Sequence, residues 1–130
     1  MIHAARSRLV VLLMMICASL GACEHPSSPT VTTGLTGVVV RGPIAPVCQV
    51  GITCDAPFSA AFSVDQDRRR VAEFRSDANG RFTVMLRAGT YRIVPADDAP
   101  IISPQAQAKT ISVLTMGLTE VRLEFDTGIR

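Results

Sequence analysis

Short apolar alternations broken by turn residues, repeated from Gly34 onward, are what most constrains the fold of this chain. Phe82, Val84 and Leu86 alternate with Arg81, Thr83, Met85 and Arg87, so an extended strand carries one apolar face, whereas a helix would scatter the same residues around its axis. Residues 35–40 form a first strand, ended by Gly42-Pro43. Phe58, Ala60, Phe62 and Val64, against Ser59, Ala61 and Ser63, make a second, and Asp65-Gln66-Asp67-Arg68 turns into a third over residues 69–75. After the strand at Phe82, Ala88-Gly89 turns into a fifth with Tyr91 and Ile93 inside, ending at Pro95, and a loop rich in Pro and Asp runs to Gln107. Ile111 and Val113 mark a sixth strand; Val121, Leu123 and Phe125, opposite Glu120, Arg122 and Glu124, mark the last. Strands that are apolar on one side bury those faces by packing two sheets together, so residues 34–130 are predicted to fold all-β, as an antiparallel β-sandwich of about seven strands. With no tryptophan, the core falls to five phenylalanines and the aliphatic residues.

Ser76-Asp77-Ala78-Asn79-Gly80 is the strongest reversal signal, because Asn and Gly tolerate the positive backbone angles of a tight turn. It predicts a hairpin, which would set Arg75 and Arg81 side by side. The run Arg75-Ser76-Asp77-Ala78-Asn79-Gly80-Arg81-Phe82, with Leu86 and Gly89-Thr90-Tyr91, resembles the T-D-x-x-G-x-F … L-x-P-G-x-Y core of carboxypeptidase regulatory-like domains. Ala88 stands where that pattern has Pro. The resemblance implies a transthyretin-like (prealbumin-like) sandwich and an accessory or binding role. Its motif residues are turn glycines and core aromatics, which specify fold and not chemistry.

Residues 1–22 have a different texture. Arg6 and Arg8 precede an unbroken apolar run at residues 9–16, the layout of a secretory signal, and the run is too short for the roughly 20 apolar residues of a membrane span. Its end, Leu20-Gly21-Ala22-Cys23, resembles the bacterial lipoprotein signal, in which a thiol after two small residues accepts a diacylglyceryl group and becomes the new N-terminus. The resemblance implies lipidation at Cys23, with thioether-linked and palmitate-type chains that hold the protein to a membrane. An ordinary secretory signal cut after Ala22 is the rival reading. Glu24 rather than Asp follows the cysteine, which points to the outer membrane of the cell envelope. Residues 23–33, rich in Pro, Ser and Thr, read as a tether.

Removing residues 1–22 takes Arg6 and Arg8 from the 13 Lys and Arg, leaving 11 against 11 Asp and Glu, so the mature chain is neutral and nucleic-acid binding loses its electrostatic argument. Cys17 leaves with the signal and Cys23 is the lipidation site, so Cys48 and Cys54 remain; in an oxidising compartment such a pair is expected to form a disulfide. Two thiols without a nearby histidine lack the ligands of a zinc site.

Catalytic chemistry is scarce. His25 in the tether is the sole histidine after residue 22 and Lys109 the sole lysine, which argues against a Ser-His-Asp site. Asp65, Asp67, Asp77 and Asn79 lack the remaining ligands of a calcium loop, so no metal, cofactor or catalytic residue is assigned. Arg68-Arg69-Arg70 and the outward Arg75, Arg81, Arg87 and Arg92 invite an anion-binding reading, with Arg75, Arg81 and Arg92 as the candidates; the plainer reading is neutralisation by Asp65, Asp67 and Glu73 and protection of strand edges. Two function classes follow. One is a lipid-anchored, non-catalytic binding or scaffolding module that meets an envelope protein or glycan through the residue 42–57 loop or the arginine face. The other is a small envelope hydrolase with an unfamiliar carboxylate site.

Overall fold

A computed structural model describes residues 27–130; the signal segment, Cys23, His25 and the first tether residues lie outside the described residues. Residues 27–33 have no regular structure, and Thr33 fastens them to the sandwich. Its hydroxyl donates to the Leu86 carbonyl at 2.6 Å, and its carbonyl accepts from the Leu86 N–H at 3.0 Å.

The strands are β1 (Gly34–Gly42), β2 (Ala56–Pro57), β3 (Ala61–Gln66), β4 (Arg69–Arg75), β5 (Arg81–Met85), β6 (Gly89–Pro95), β7 (Lys109–Val113) and β8 (Leu118–Asp126), with a single 3-10 turn at Pro104–Gln107. In the first sheet β1 is central: β5 and β2 pair antiparallel along one edge and β8 runs parallel along the other. The second sheet has the order β4-β3-β6-β7, all antiparallel. The chain is thus the β-sandwich that its alternation predicts. The additional strand, β2, is a two-residue pairing within the segment read as loop.

Three details depart from the sequence reading. First, β1 and β8 are parallel, in register from Gly34 with Leu118 to Gly42 with Asp126. Parallel neighbours need a long connection, and here the rest of the domain supplies it. Gly37 admits this close approach, because a Cβ there would overlap the Val121 carbonyl oxygen.

Second, residues 76–80 are an arch between sheets and not a hairpin: β4 pairs with β3 in one sheet, and β5 with β1 in the other. The reversal itself is as tight as the sequence predicts. The Asp77 carboxylate accepts from the N–H groups of Asn79 and Arg81 at 2.8 and 2.9 Å, and Gly80 takes φ 73°. Its flanks, however, bond to different sheets, Ser76 N–H to the Ala60 carbonyl at 3.0 Å and Val39 N–H to the Gly80 carbonyl at 2.7 Å. Those two bonds decide the topology.

Third, Phe58 and Ala60 are buried and Ser59 is exposed, as the alternation predicts, but residues 58–60 are not strand. They carry the chain across the sandwich: Phe58 N–H donates to the Val39 carbonyl, and Ala60 N–H donates to the Ser76 hydroxyl at 2.9 Å.

All five phenylalanines join in one cluster between the sheets. The Phe62 ring stacks on Phe74 at 5.0 Å, tilts against Phe125 at 5.6 Å and meets Phe58 edge-on at 6.5 Å, while Phe74 stacks on Phe82 at 4.5 Å. Leu35, Val39, Val64, Ile93 and Leu123 complete the centre. β4 is an edge strand, and it carries charges at Arg69, Arg70, Glu73 and Arg75 together with a bulge at Val71, which is left without a partner between the Asp65–Arg70 and Val64–Ala72 pairs. Both features discourage edge-to-edge pairing with another chain.

Candidate functional site

The segment between β1 and β2 contains the expected disulfide, Cys48 to Cys54, with Cα atoms 5.6 Å apart. Its base is fastened on several sides. Ile44 N–H donates to the Cys54 carbonyl at 2.9 Å, Thr127 N–H to the Gly42 carbonyl at 3.0 Å, and the Thr127 hydroxyl to the Pro43 carbonyl at 2.6 Å. Arg122 on β8 bridges Asp55, just after the disulfide, and Glu124, which its Nε reaches at 2.7 Å. These carboxylates raise the pKa of the Arg122 guanidinium above its ordinary value, the Glu124 hydrogen bond contributing most.

On this fixed base the loop turns its apolar side chains outward. Val47 is 81% exposed and Val50 fully so, with Ile44 and Ile52 more than half or half exposed beside them. Ile44, Val47, Ile52 and the disulfide line a shallow hollow of about 290 Å³. Isolated exposed aliphatics are ordinary on a protein surface, whereas a contiguous group on a braced loop marks an interaction site.

The three candidate arginines do not form one strip. Arg81 lies on the outer side of the first sheet, beside buried Phe82, and Arg92 on the outer side of the second, between buried Tyr91 and Ile93, so they point away from each other. The arch is the reason, since it moves the chain to the opposite sheet. Arg75 and Arg81 do meet, at an open cleft of about 450 Å³ that Thr36, Thr83, Asp77 and Glu120 also line. Two carboxylates there balance two guanidiniums. Arg92 instead sits in a row with Asp65 and Arg70 across β6, β3 and β4, and Arg70 is paired with Glu73 at 2.8 Å.

The sequence matches no family model and no curated protein. A solved structure resembles it. The fold is similar to that of a DUF3823 family protein from Bacteroides ovatus, with a TM-score of 0.50 and 19% identity over 72% of this chain. At that identity the likeness is one of β-rich fold alone. The chain spans 44% of that protein's length.

Among the described residues no three His, Cys, Asp or Glu side chains gather in a way that would hold a metal ion. Lys109 lies over the Phe125 ring, 5.4 Å from its centroid. Asp126, at the end of β8, accepts from the Arg130 guanidinium at 2.8 and 3.1 Å and from Gly128 N–H at 2.8 Å. Arg130 first, then the Gly128 N–H, lower its pKa to about 2. The folded state therefore favours the ionised form, and this contribution is full above the ordinary carboxylate range and disappears as the pH falls through about 2. An NMR titration should place the Asp126 midpoint near 2, and Arg130→Gln should raise it toward the ordinary range. An Asp126 midpoint at the ordinary value in the unaltered protein would show that the clasp does not form in solution.

The Cys48–Cys54 loop is a candidate from its sequence alone, but its apolar exposure and the Arg122 clamp emerge only in the fold. Half of the clamp was signalled by the alternation of Glu120, Arg122 and Glu124 on one strand face, whereas the approach of Asp55, 67 residues away, is set by the fold.

Proposed function

We propose that this chain is a lipid-anchored module of the bacterial cell envelope, held through Cys23 and directed to the outer membrane, that binds or scaffolds an envelope protein and carries no catalytic activity. In this reading residues 34–130 are a carboxypeptidase regulatory-like domain, and the contact is made by the disulfide loop. The observation that carries it is the outward Val47, Val50, Ile44 and Ile52 on a base fixed by the disulfide, by the Thr127 bonds and by Arg122. A preformed loop loses little conformational freedom on binding, so more of the energy of burying its side chains appears as affinity. Full burial of an aliphatic side chain contributes about 1.5–3 kcal/mol. The neutral cleft at Arg75 and Arg81 offers an anionic ligand no comparable advantage.

The orientation is consistent with such a role. Gly34, where the tether enters, and Gly42, where the loop begins, are the two ends of β1. A tether at one end therefore presents the loop away from the point of attachment, by about 3.3 Å for each residue of the strand.

Val47→Asp with Val50→Asp should abolish capture of the envelope partner after crosslinking. It should leave the melting temperature nearly unchanged, because neither side chain is buried in the domain. Capture at the original level by this folded double variant would remove the loop from the account.

A further inference from the structure

The end of the sandwich where the tether enters has a composition of its own. Gly34 is flanked by Met85 on β5 and Leu118 on β8, its two Cα partners. Both are about half exposed, and the neighbouring turn from β7 to β8 adds Leu114 at 61% and Met116 at 84% exposure. Two further turns close the same end. Arg87 lies between β5 and β6, and its carbonyl is held by the Tyr91 hydroxyl at 2.7 Å. Asp67 and Arg68 join β3 to β4, beside the start of β6, where Gln66 Nε2 donates to the Thr90 carbonyl at 3.3 Å.

That β3–β4 turn is unusual. Asp67 and Arg68 both have positive φ, 50° and 64°, in the two-residue reversal that ordinarily selects Asn and Gly. An arginine thus occupies a tip where glycine would be easier on the backbone. Arg68, Arg69 and Arg87 are exposed, and no ion pair among the described residues engages them. An apolar turn at the same end of the sandwich as exposed guanidiniums outside any ion pair is the chemistry of a surface that meets an anionic bilayer, aliphatic groups entering the headgroup boundary and cations facing phosphate.

We infer that this end of the domain rests on the membrane, with Leu114, Met116 and Leu118 in the bilayer interface and Arg68, Arg69 and Arg87 against lipid phosphates. The inference rests on the anchor at Cys23. Residues 24–33 span at most about 33–36 Å when fully extended, which keeps this end within reach of the bilayer. The disulfide loop lies a further strand length away.

The acylated protein is extracted from envelopes as Met116→Cys, labelled at that thiol with a polarity-sensitive nitrobenzoxadiazole, and reconstituted into phosphatidylethanolamine–phosphatidylglycerol vesicles. Thr83→Cys, on the outer side of the first sheet, serves as the control. The probe at position 116 should shift to the blue, brighten severalfold and be quenched by nitroxide-bearing lipids, whereas the control stays water-like. Arg68→Gln, Arg69→Gln and Arg87→Gln together should return the first probe to a water-like signal. A protein that floats with the vesicles while its probe at 116 matches the control keeps the anchor and overturns the contact. Undiminished immersion in the triple variant overturns the pairing with phosphate. A chain that carries no acyl group and does not float overturns the anchor, and with it the orientation from which the contact is inferred.

Discussion

Phe62→Ala should lower the stability of the domain by about 3–5 kcal/mol, the range for truncating a buried aromatic. Phe62 is 2% exposed and touches three of the other four phenylalanines, so its removal opens a cavity where both sheets contribute side chains and neither can collapse freely. A domain of this size has only about 5–15 kcal/mol in total. The melting temperature should accordingly fall by more than about 10 °C. Phe74→Ala should cost less, since Phe74 lies on the edge strand and is only partly buried. Equal losses at the two positions in thermal unfolding would contradict the placement of Phe62 at the centre.

Ser76→Ala should have the second largest effect, despite removing a single oxygen. Ser76 is 2% exposed, and its hydroxyl accepts from Ala60 N–H at 2.9 Å and donates to the Phe58 carbonyl at 2.8 Å. Without it two buried backbone groups on the crossover lose their partner, and an unsatisfied buried group costs about 1–3 kcal/mol. Ser76→Thr keeps the hydroxyl and should recover most of the loss. Urea unfolding reads both, the midpoint falling for Ala with an unchanged slope. A Thr variant as unstable as the Ala variant would mean that the hydroxyl is not what matters.

Ser76 also shows where the sequence was legible and where it was not. The motif around it was plain, and the reversal it announces is present, with Asp77 capping the turn and Gly80 in the left-handed region. A turn signal, however, says that the chain reverses and not which strand it joins next. That choice was made by Ala60 and Val39, distant in sequence, whose bonds to Ser76 and Gly80 send β4 and β5 to opposite sheets. Burial at Phe58, Ala60, Phe62 and Val64 followed directly from alternation, because period-two patterning reports which side faces the core. The same pattern is blind to the crossover at residues 58–60, since a chain passing between sheets also buries every second residue.

The candidate site was legible to a similar degree. Cysteine accounting identified the 48–54 bridge, because few thiols remain once residues 1–23 are set aside. Of Arg75, Arg81 and Arg92, the first two share a cleft and the third faces away, because strands that follow one another in sequence here belong to different sheets. The exposed Val47 and Val50 were hidden by their chemistry, because valine in a sequence argues for burial and only a fold reveals the exception.

The central claim, an anchored module that meets its partner through the disulfide loop, is tested most directly by photo-crosslinking in living cells. A benzophenone amino acid is placed at Val50, with Thr83 on the outer sheet face as the control. The account predicts one discrete higher-mass adduct in the envelope fraction from position 50 and none from position 83. No adduct from position 50, or the same adducts from both positions, would contradict it.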